Sequence, residues 1–320
     1  MSLDLEYLLW LQNFRALTSD VLTPFMEWVS VFSTGFLLFI PAFIYWCIDK
    51  RKGLLIFLAW KISMVINSLI KLTCCVYRPW VRDTKIIPAG NAIKTAGGYS
   101  FPSGHTMTAA PIYGSVALLI KNKLIKALLI LAILLLAFSR NYLGVHTPQD
   151  VLVGFILGLL AVYITNKILN YLDKDFNSNS KLEDLFIALL FLSGIATLIY
   201  ISFKSYPLDY NQDGKLLVDP VKMQIDAWQD AGGIIPLALC WWLDKKFIKF
   251  KATGFNLKSV IINLIGMIPL YFILDKTLRN YLVLGCGAYW GRLLNQSALF
   301  IYIIIIWPLI LKLFKLNKNI

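Results

Sequence analysis

Between Asp184 and Lys204 the chain reads LFIALLFLSGIATLIYISF without one charged residue, and between Lys126 and Arg140 it reads ALLILAILLLAFS. Runs of this kind constrain the fold more than any other feature. About 20 apolar residues wound as a helix cross the ~30 Å hydrocarbon layer of a bilayer. Composition agrees: of 320 residues, 58% are hydrophobic and 15% charged, with a mean hydropathy of +0.67. A soluble domain carries nearer a quarter charged residues, so the excess apolar surface must face something other than water.

A short amphipathic segment at 3–17 precedes nine candidate spans, at 22–48, 53–75, 103–120, 124–143, 149–171, 184–204, 231–248, 257–275 and 295–314. The expected architecture is all-α: a polytopic membrane helix bundle with a catalytic core in its first five spans. Three regions are expected, a core over 1–172, a polar linker over 173–182 (DKDFNSNSKL) and further membrane helices over 183–320. No internal repeat relates them. Gly154 and Gly158 stand four apart in the fifth span, a spacing that lets a neighbouring helix approach closely. The first nine residues contain Asp4 and Glu6 but no Lys or Arg, unlike the basic leader of a cleavable signal peptide.

Five scattered cysteines show neither metal-ligand spacing nor a disulfide framework. The net charge of +13 lies in short clusters between spans, so it reads as a topology signal and nucleic acid is not an expected partner. An odd span count divides the 31 basic residues into 17 on the side of loops 50–52, 121–126, 167–183, 244–258 and the C-terminal tail, 13 on the other, and Lys61 within a span. The positive-inside rule makes the denser side cytoplasmic. Loops 76–102, 139–148 and 205–230 are then expected to face outward, and the setting expected is a bacterial plasma membrane.

Those outward loops concentrate one kind of chemistry. The second span ends in Lys71-Leu-Thr-Cys-Cys-Val-Tyr-Arg78-Pro79; Ser100-Phe-Pro-Ser103-Gly104-His105 opens the third; Ser139-Arg140-Asn-Tyr-Leu-Gly-Val-His146-Thr-Pro-Gln-Asp150 joins the fourth to the fifth. A phosphoryl group in transfer spreads negative charge over three oxygens, which positioned cations and N–H groups stabilise. Lys71, Arg78 and Arg140 supply cations, arginine in a planar fork. Ser103 and Gly104 stand where a helix N-terminus favours an anion. The chain has two histidines. His146, with Asp150 four residues on to fix its tautomer, is the candidate nucleophile. His105, at the head of another helix, is the candidate proton donor to the leaving oxygen. Simpler roles exist for single residues: capping for Asp150 and Ser103, interfacial snorkelling for Lys71 and Arg78. They do not account for both histidines standing in these segments.

The three segments together, Lys71-x6-Arg78-Pro79, Pro102-Ser103-Gly104-His105 and Ser139-Arg140-x5-His146-x3-Asp150, resemble the full signature of the type 2 phosphatidic acid phosphatase superfamily, which includes glucose-6-phosphatases and vanadium haloperoxidases. The likeness covers about residues 22–172. It implies two-step hydrolysis through a phosphohistidine at His146, with His105 as acid and then base, no metal or other cofactor, and phosphate held by Lys71, Arg78, Ser103, Gly104 and Arg140. The substrate implied is a phosphorylated lipid: phosphatidic acid, phosphatidylglycerophosphate, a polyprenyl diphosphate or a sphingoid-base phosphate. Phosphotransfer to an alcohol and hydrolysis of a sugar phosphate would use the same site. A soluble haloperoxidase disagrees with the hydrophobicity, and a lipid transporter leaves the signature unexplained.

Three features stand outside this reading. Lys61 lies mid-span, where an ionisable group is a functional candidate, with Glu27 as its nearest partner by depth. Asp209–Gly214 opens like a calcium loop, but Pro220 stands where the bidentate Glu belongs, so an ordinary polar turn is expected. Residues 223–228 are expected to form a short interfacial helix.

Overall fold

A computed structural model describes residues 2–35, 37–174, 180–274 and 276–314. Residues 175–179 of the expected linker, residue 275 at the end of the eighth expected span, and Lys315 and Lys318 of the tail lie outside the described residues. Among those described, the chain is helical, with a lone β-type bridge between Tyr210 and Leu216.

Five helical stretches are long and apolar enough to cross a membrane: Lys50–Arg82, Lys123–Tyr142, Pro148–Asp173, Ser180–Phe203 and Ala288–Leu313. A sixth follows if the bent pair Leu257–Ile273 and Thr277–Cys286 is one span. The other expected spans are shorter or broken. The 22–48 stretch forms helices at Thr23–Gly35 and Phe39–Ile48 with a turn at 37–38. The 103–120 stretch is helical over Gly104–Leu119, and the 231–248 stretch over Ile234–Leu243 and Asp244–Ile248. Hydropathy alone does not register the turn that divides an apolar run or the cap that shortens it.

The chain forms two compact units, each gathering separate segments. The first comprises Met1–Leu37, Ile66–Ala161 and Lys204–Met223; the second comprises Leu38–Val65, Val162–Phe203 and Gln224–Ile320. In the first unit we label the helices α1 (Leu3–Leu17), α2 (Thr23–Gly35), α3 (Lys50–Cys74, whose C-terminal part belongs here), α4 (Gly104–Leu119), α5 (Lys123–Tyr142) and α6 (Pro148–Asp173, whose N-terminal part belongs here). α5 packs on α4, α2 and α1, and α2 also meets α4.

Local chemistry sets where these helices start. The Ser103 side chain accepts from the Thr106 N–H at the head of α4, and Asn122 Oδ1 accepts from the N–H groups of Leu124 and Ile125 at the head of α5. At α6 the Thr147 N–H donates to Asp150 Oδ2 at 2.8 Å, and the Asp150 N–H points back to Thr147 Oγ1 at 3.4 Å, with Pro148 at the first helical position. This is a reciprocal cap on a proline-started helix.

The glycine pair in α6 seats α4. A Cβ on Gly154 would stand 3.1 Å from the Ser103 carbonyl oxygen, and one on Gly158 would stand 2.7 Å from Ala110 Cβ and 3.1 Å from Pro111 Cδ. Both neighbours of Gly158 are short groups fixed to a helix, with no flexible end to move aside. Gly158→Ala is therefore expected to destabilise the fold by about 1–3 kcal/mol through overpacking, read as a lower thermal midpoint in detergent; an unchanged midpoint would refute the seating.

In the second unit, Lys61 is 1% exposed, and its ammonium donates to Gln296 Oε1 at 2.9 Å and the Asp230 carbonyl at 3.4 Å, 3.9 Å from the Trp60 ring centre. Glu27 is not its partner: that carboxylate accepts from the Asn91 N–H in the first unit. Depth along a span does not determine which helices meet. The residues expected to form a short interfacial helix lie within a helix over Pro220–Asp230. The Asp209–Gly214 segment is a polar turn in which Asn211 Oδ1 accepts from the N–H groups of Asp213 and Lys215, and Gly214 takes a positive φ of 74°. Among the described residues no three His, Cys, Asp or Glu side chains are grouped as metal ligands would be.

Candidate active site

The three motif segments meet inside the first unit. His146 ends the turn between α5 and α6 and is 1% exposed. Its Nδ1 lies 3.3 Å from Asp150 Oδ2, one helical turn on, and its Nε2 lies 2.8 Å from Arg78 Nη1. A guanidinium only donates, so Nε2 must be the acceptor and Nδ1 the nitrogen that carries hydrogen toward Asp150. Burial, reinforced by the Arg78 charge, holds the imidazole pKa well below the ordinary histidine range. The ring is therefore neutral at neutral pH, with its lone pair on Nε2.

Asp150 is 2% exposed and collects three donors on one oxygen: Ser100 Oγ at 2.6 Å, the Thr147 N–H at 2.8 Å and His146. The same residue caps a helix and orients a histidine. Its carbonyl oxygen also accepts from the Ser103 N–H at 2.9 Å, which ties the head of α4 to the head of α6. The hydroxyl of Ser103 is occupied by its cap and by the Thr106 hydroxyl at 3.1 Å. The N–H groups of Gly104 and His105, next along the helix start, have no backbone acceptor among the described residues. A side chain on Gly104 would meet Asn67 Oδ1 no closer than 3.8 Å, so the space beside it is open. His105 is partly exposed, makes no hydrogen bond among the described residues, and lies within electrostatic reach of Arg140, His146, Arg78 and Lys71.

The three cations are not equivalent. Lys71 Nζ donates to the carbonyls of Tyr99, Ser100 and Pro102 at 3.2, 3.3 and 2.6 Å, enough acceptors for all three ammonium hydrogens; it organises the loop before α4. Every nitrogen of Arg78 also has an acceptor, with Nε on the Gly98 carbonyl, Nη2 on the Gly97 carbonyl, and Nη1 on the Val145 carbonyl and His146. Arg140 differs. Its side chain is fully buried, Nη1 donates to Ser30 Oγ and, at 3.4 Å, to Thr95 Oγ1, and Nε and Nη2 have no acceptor.

All eight residues singled out in the sequence thus fall in one unit, close around the two histidines. Four others join them that no motif indicated. Ser100 was in view but carried no assigned role. Asn67, whose amide donates to the Pro102 carbonyl at 3.3 Å, sits one turn before Lys71, a periodicity that would have marked it. Ser30 and Thr95 offer no local signal, because what they hold lies more than 40 residues away.

Comparison with known proteins gives the same region. Residues 52–174 match the PAP2 superfamily. The chain is 32% identical over 121 residues to phosphatidylglycerophosphatase B of Bacillus subtilis (strain 168), covering 35% of this chain and 55% of that protein. It is 37% identical over 102 residues to undecaprenyl-diphosphatase BcrC of the same organism, covering 32% and 50%. Over 169 residues it is 28% identical to the glucose-6-phosphatase catalytic subunit 1 of Haplochromis nubilus, covering 45% and 46%. The chain spans about half the length of the curated relatives it matches. No solved structure matches.

Proposed function

We propose that this chain, which carries a PAP2 superfamily domain over residues 52–174, is an integral-membrane phosphatase that hydrolyses a phosphate or diphosphate ester of a lipid. The observation that carries the reading is the state of the His146 ring: hydrogen on the nitrogen facing Asp150, lone pair on the nitrogen facing Arg78. A phosphoryl oxygen arriving beside Arg78 draws its Nη1 hydrogen away and frees that lone pair for phosphorus.

In the first step His146 Nε2 forms a bond to phosphorus while the bond from phosphorus to the ester oxygen breaks. His105 gives its proton to the leaving oxygen, and Asp150 stabilises the charge gained by the phosphorylated imidazole. In the second step a water attacks phosphorus as the P–N bond breaks, and His105 takes the water's proton. Arg140, with two nitrogens that lack acceptors, and the N–H groups of Gly104 and His105 are the donors open to the phosphoryl oxygens. Lys71 and Arg78 add positive charge, and Ser103 and Lys71 hold the loops in register.

A lipid suits a site built at helix ends, since the tail can stay in the bilayer while the headgroup reaches Arg140. Charge counting over the loops supports an extracytoplasmic mouth. Phosphatidic acid, phosphatidylglycerophosphate, a polyprenyl diphosphate and a sphingoid-base phosphate form the substrate panel, and the names of the two bacterial relatives favour the second and third. The similarity to a glucose-6-phosphatase keeps a sugar phosphate as a second reading.

The test is phosphate release by the purified full-length chain in nanodiscs, on that panel and on glucose 6-phosphate, with a chelator present. Hydrolysis of at least one lipid is expected to persist under chelation, because side-chain cations and N–H groups supply the charge stabilisation. Vanadate, shaped like the transferring group, is expected to inhibit. Activity lost on chelation and restored by one divalent ion would replace the cation-only site. Hydrolysis of the sugar phosphate alone would replace the lipid.

A further inference from the structure

Among the three cations Arg140 alone has side-chain nitrogens without any acceptor among the described residues, and what fixes its orientation comes from outside every recognised motif. Ser30 stands on α2, before the region that matches the family, and is 1% exposed. Its hydroxyl accepts from Arg140 Nη1, as does Thr95 Oγ1 at 3.4 Å. The remaining buried donors, Nε and Nη2, are without acceptors. These two lie along one edge of the guanidinium plane, the edge that offers two parallel N–H groups to two oxygens of one phosphate. Ser30, Thr95 and Arg140 also line a cavity of about 460 Å³ whose wall includes Trp28, Val31 and Lys94. Space therefore lies beside the clamped pair, although both side chains are buried.

We propose that Ser30, assisted by Thr95, is a positioning residue that clamps Arg140 by one nitrogen and thereby presents its Nε–Nη2 edge to the phosphoryl group. This rests on the phosphatase reading above. A long arginine side chain has many rotamers open to it. Without the clamp the buried fork is free to turn and pair with other carbonyls. The effect is on phosphate recognition, transmitted through Arg140, and contributes nothing to attack or proton transfer.

The experiment is a double-mutant cycle in the full-length chain, with Ser30→Ala, Arg140→Ala and both together, read by vanadate affinity, by KM and kcat, and by thermal midpoint. Ser30→Ala is expected to weaken vanadate binding and raise KM about tenfold, the loss typical of one hydrogen bond to a charged group, with kcat within about threefold and the midpoint little changed. In the Arg140→Ala background the same change is expected to do nothing further, since the clamp then has nothing to hold. Thr95→Val, at the longer contact, is expected to give a smaller shift in the same direction. Equal effects of Ser30→Ala with and without Arg140, or unchanged vanadate affinity in Ser30→Ala, would overturn the clamp while leaving the phosphatase reading intact. Wild-type protein that neither binds vanadate nor releases phosphate would remove the phosphatase reading and the clamp with it.

Discussion

His146→Ala is expected to lower kcat by about 10⁴-fold or more, the scale set by removal of a nucleophile that works as one member of a unit. The fold should survive. Arg78 Nη1 keeps the Val145 carbonyl, Asp150 keeps Ser100 Oγ and the Thr147 N–H, and the His146 backbone carbonyl keeps the Asn141 amide at 2.9 Å. What is lost is the lone pair on Nε2, with no side chain nearby to replace it. The measurement is single-turnover phosphate release beside a substrate-binding control. Acid-labile phosphate should appear on the wild-type chain during turnover and be absent from the variant. Turnover within tenfold of wild type would remove His146 from the chemistry.

Asp150→Asn follows, with an expected fall in kcat of about 10²-fold. The reason is charge, since the hydrogen bonds can stay. Oδ2 of Asp150 accepts from Ser100, Thr147 and His146 at once. Asparagine has one oxygen and one NH2 group. With its oxygen in the place of Oδ2 all three donors keep their acceptor, the cap survives and the ring keeps its hydrogen on Nδ1. What goes is the negative charge that would stabilise the imidazole once it is phosphorylated, on the scale of about 1.5–3 kcal/mol for a hydrogen bond to a charged group. The variant should remain folded in detergent while losing turnover, and nitrogen chemical shifts of the imidazole should still report hydrogen on Nδ1. Full activity would leave Asp150 as a helix cap only.

The grouping of the candidate residues was far more legible than the bundle around them. Arg140, His146 and Asp150 fall within eleven consecutive positions, and a turn followed by a capped helix start suffices to bring them together. The same holds for Ser103-Gly104-His105. Lys71 is different in kind: its ammonium meets three carbonyls of the loop ahead of α4, contacts that the spacing within its own motif does not announce. Ser30 was beyond reach because a serine in an apolar helix has no signature until the helix beside it is known. The bounds of the spans were less legible for a related reason. Hydropathy adds up apolar residues along a window, and in 22–48 it ran across a turn that separates two shorter helices.

Gly154 and Gly158 have a bearing on the geometry of the proposed site. Contact between α4 and α6 is made there with almost no side chain between the backbones, and a joint without side chains has little give. The candidate acid, His105, at the head of α4 and the candidate orienting carboxylate, Asp150, at the head of α6 are thereby held at a fixed spacing. The opposite wall is built otherwise: Arg78 is held by the carbonyls of Gly97 and Gly98, and the latter glycine takes a φ of 73°. One side of the cluster is fixed by two missing side chains, the other by hydrogen bonds to a glycine loop.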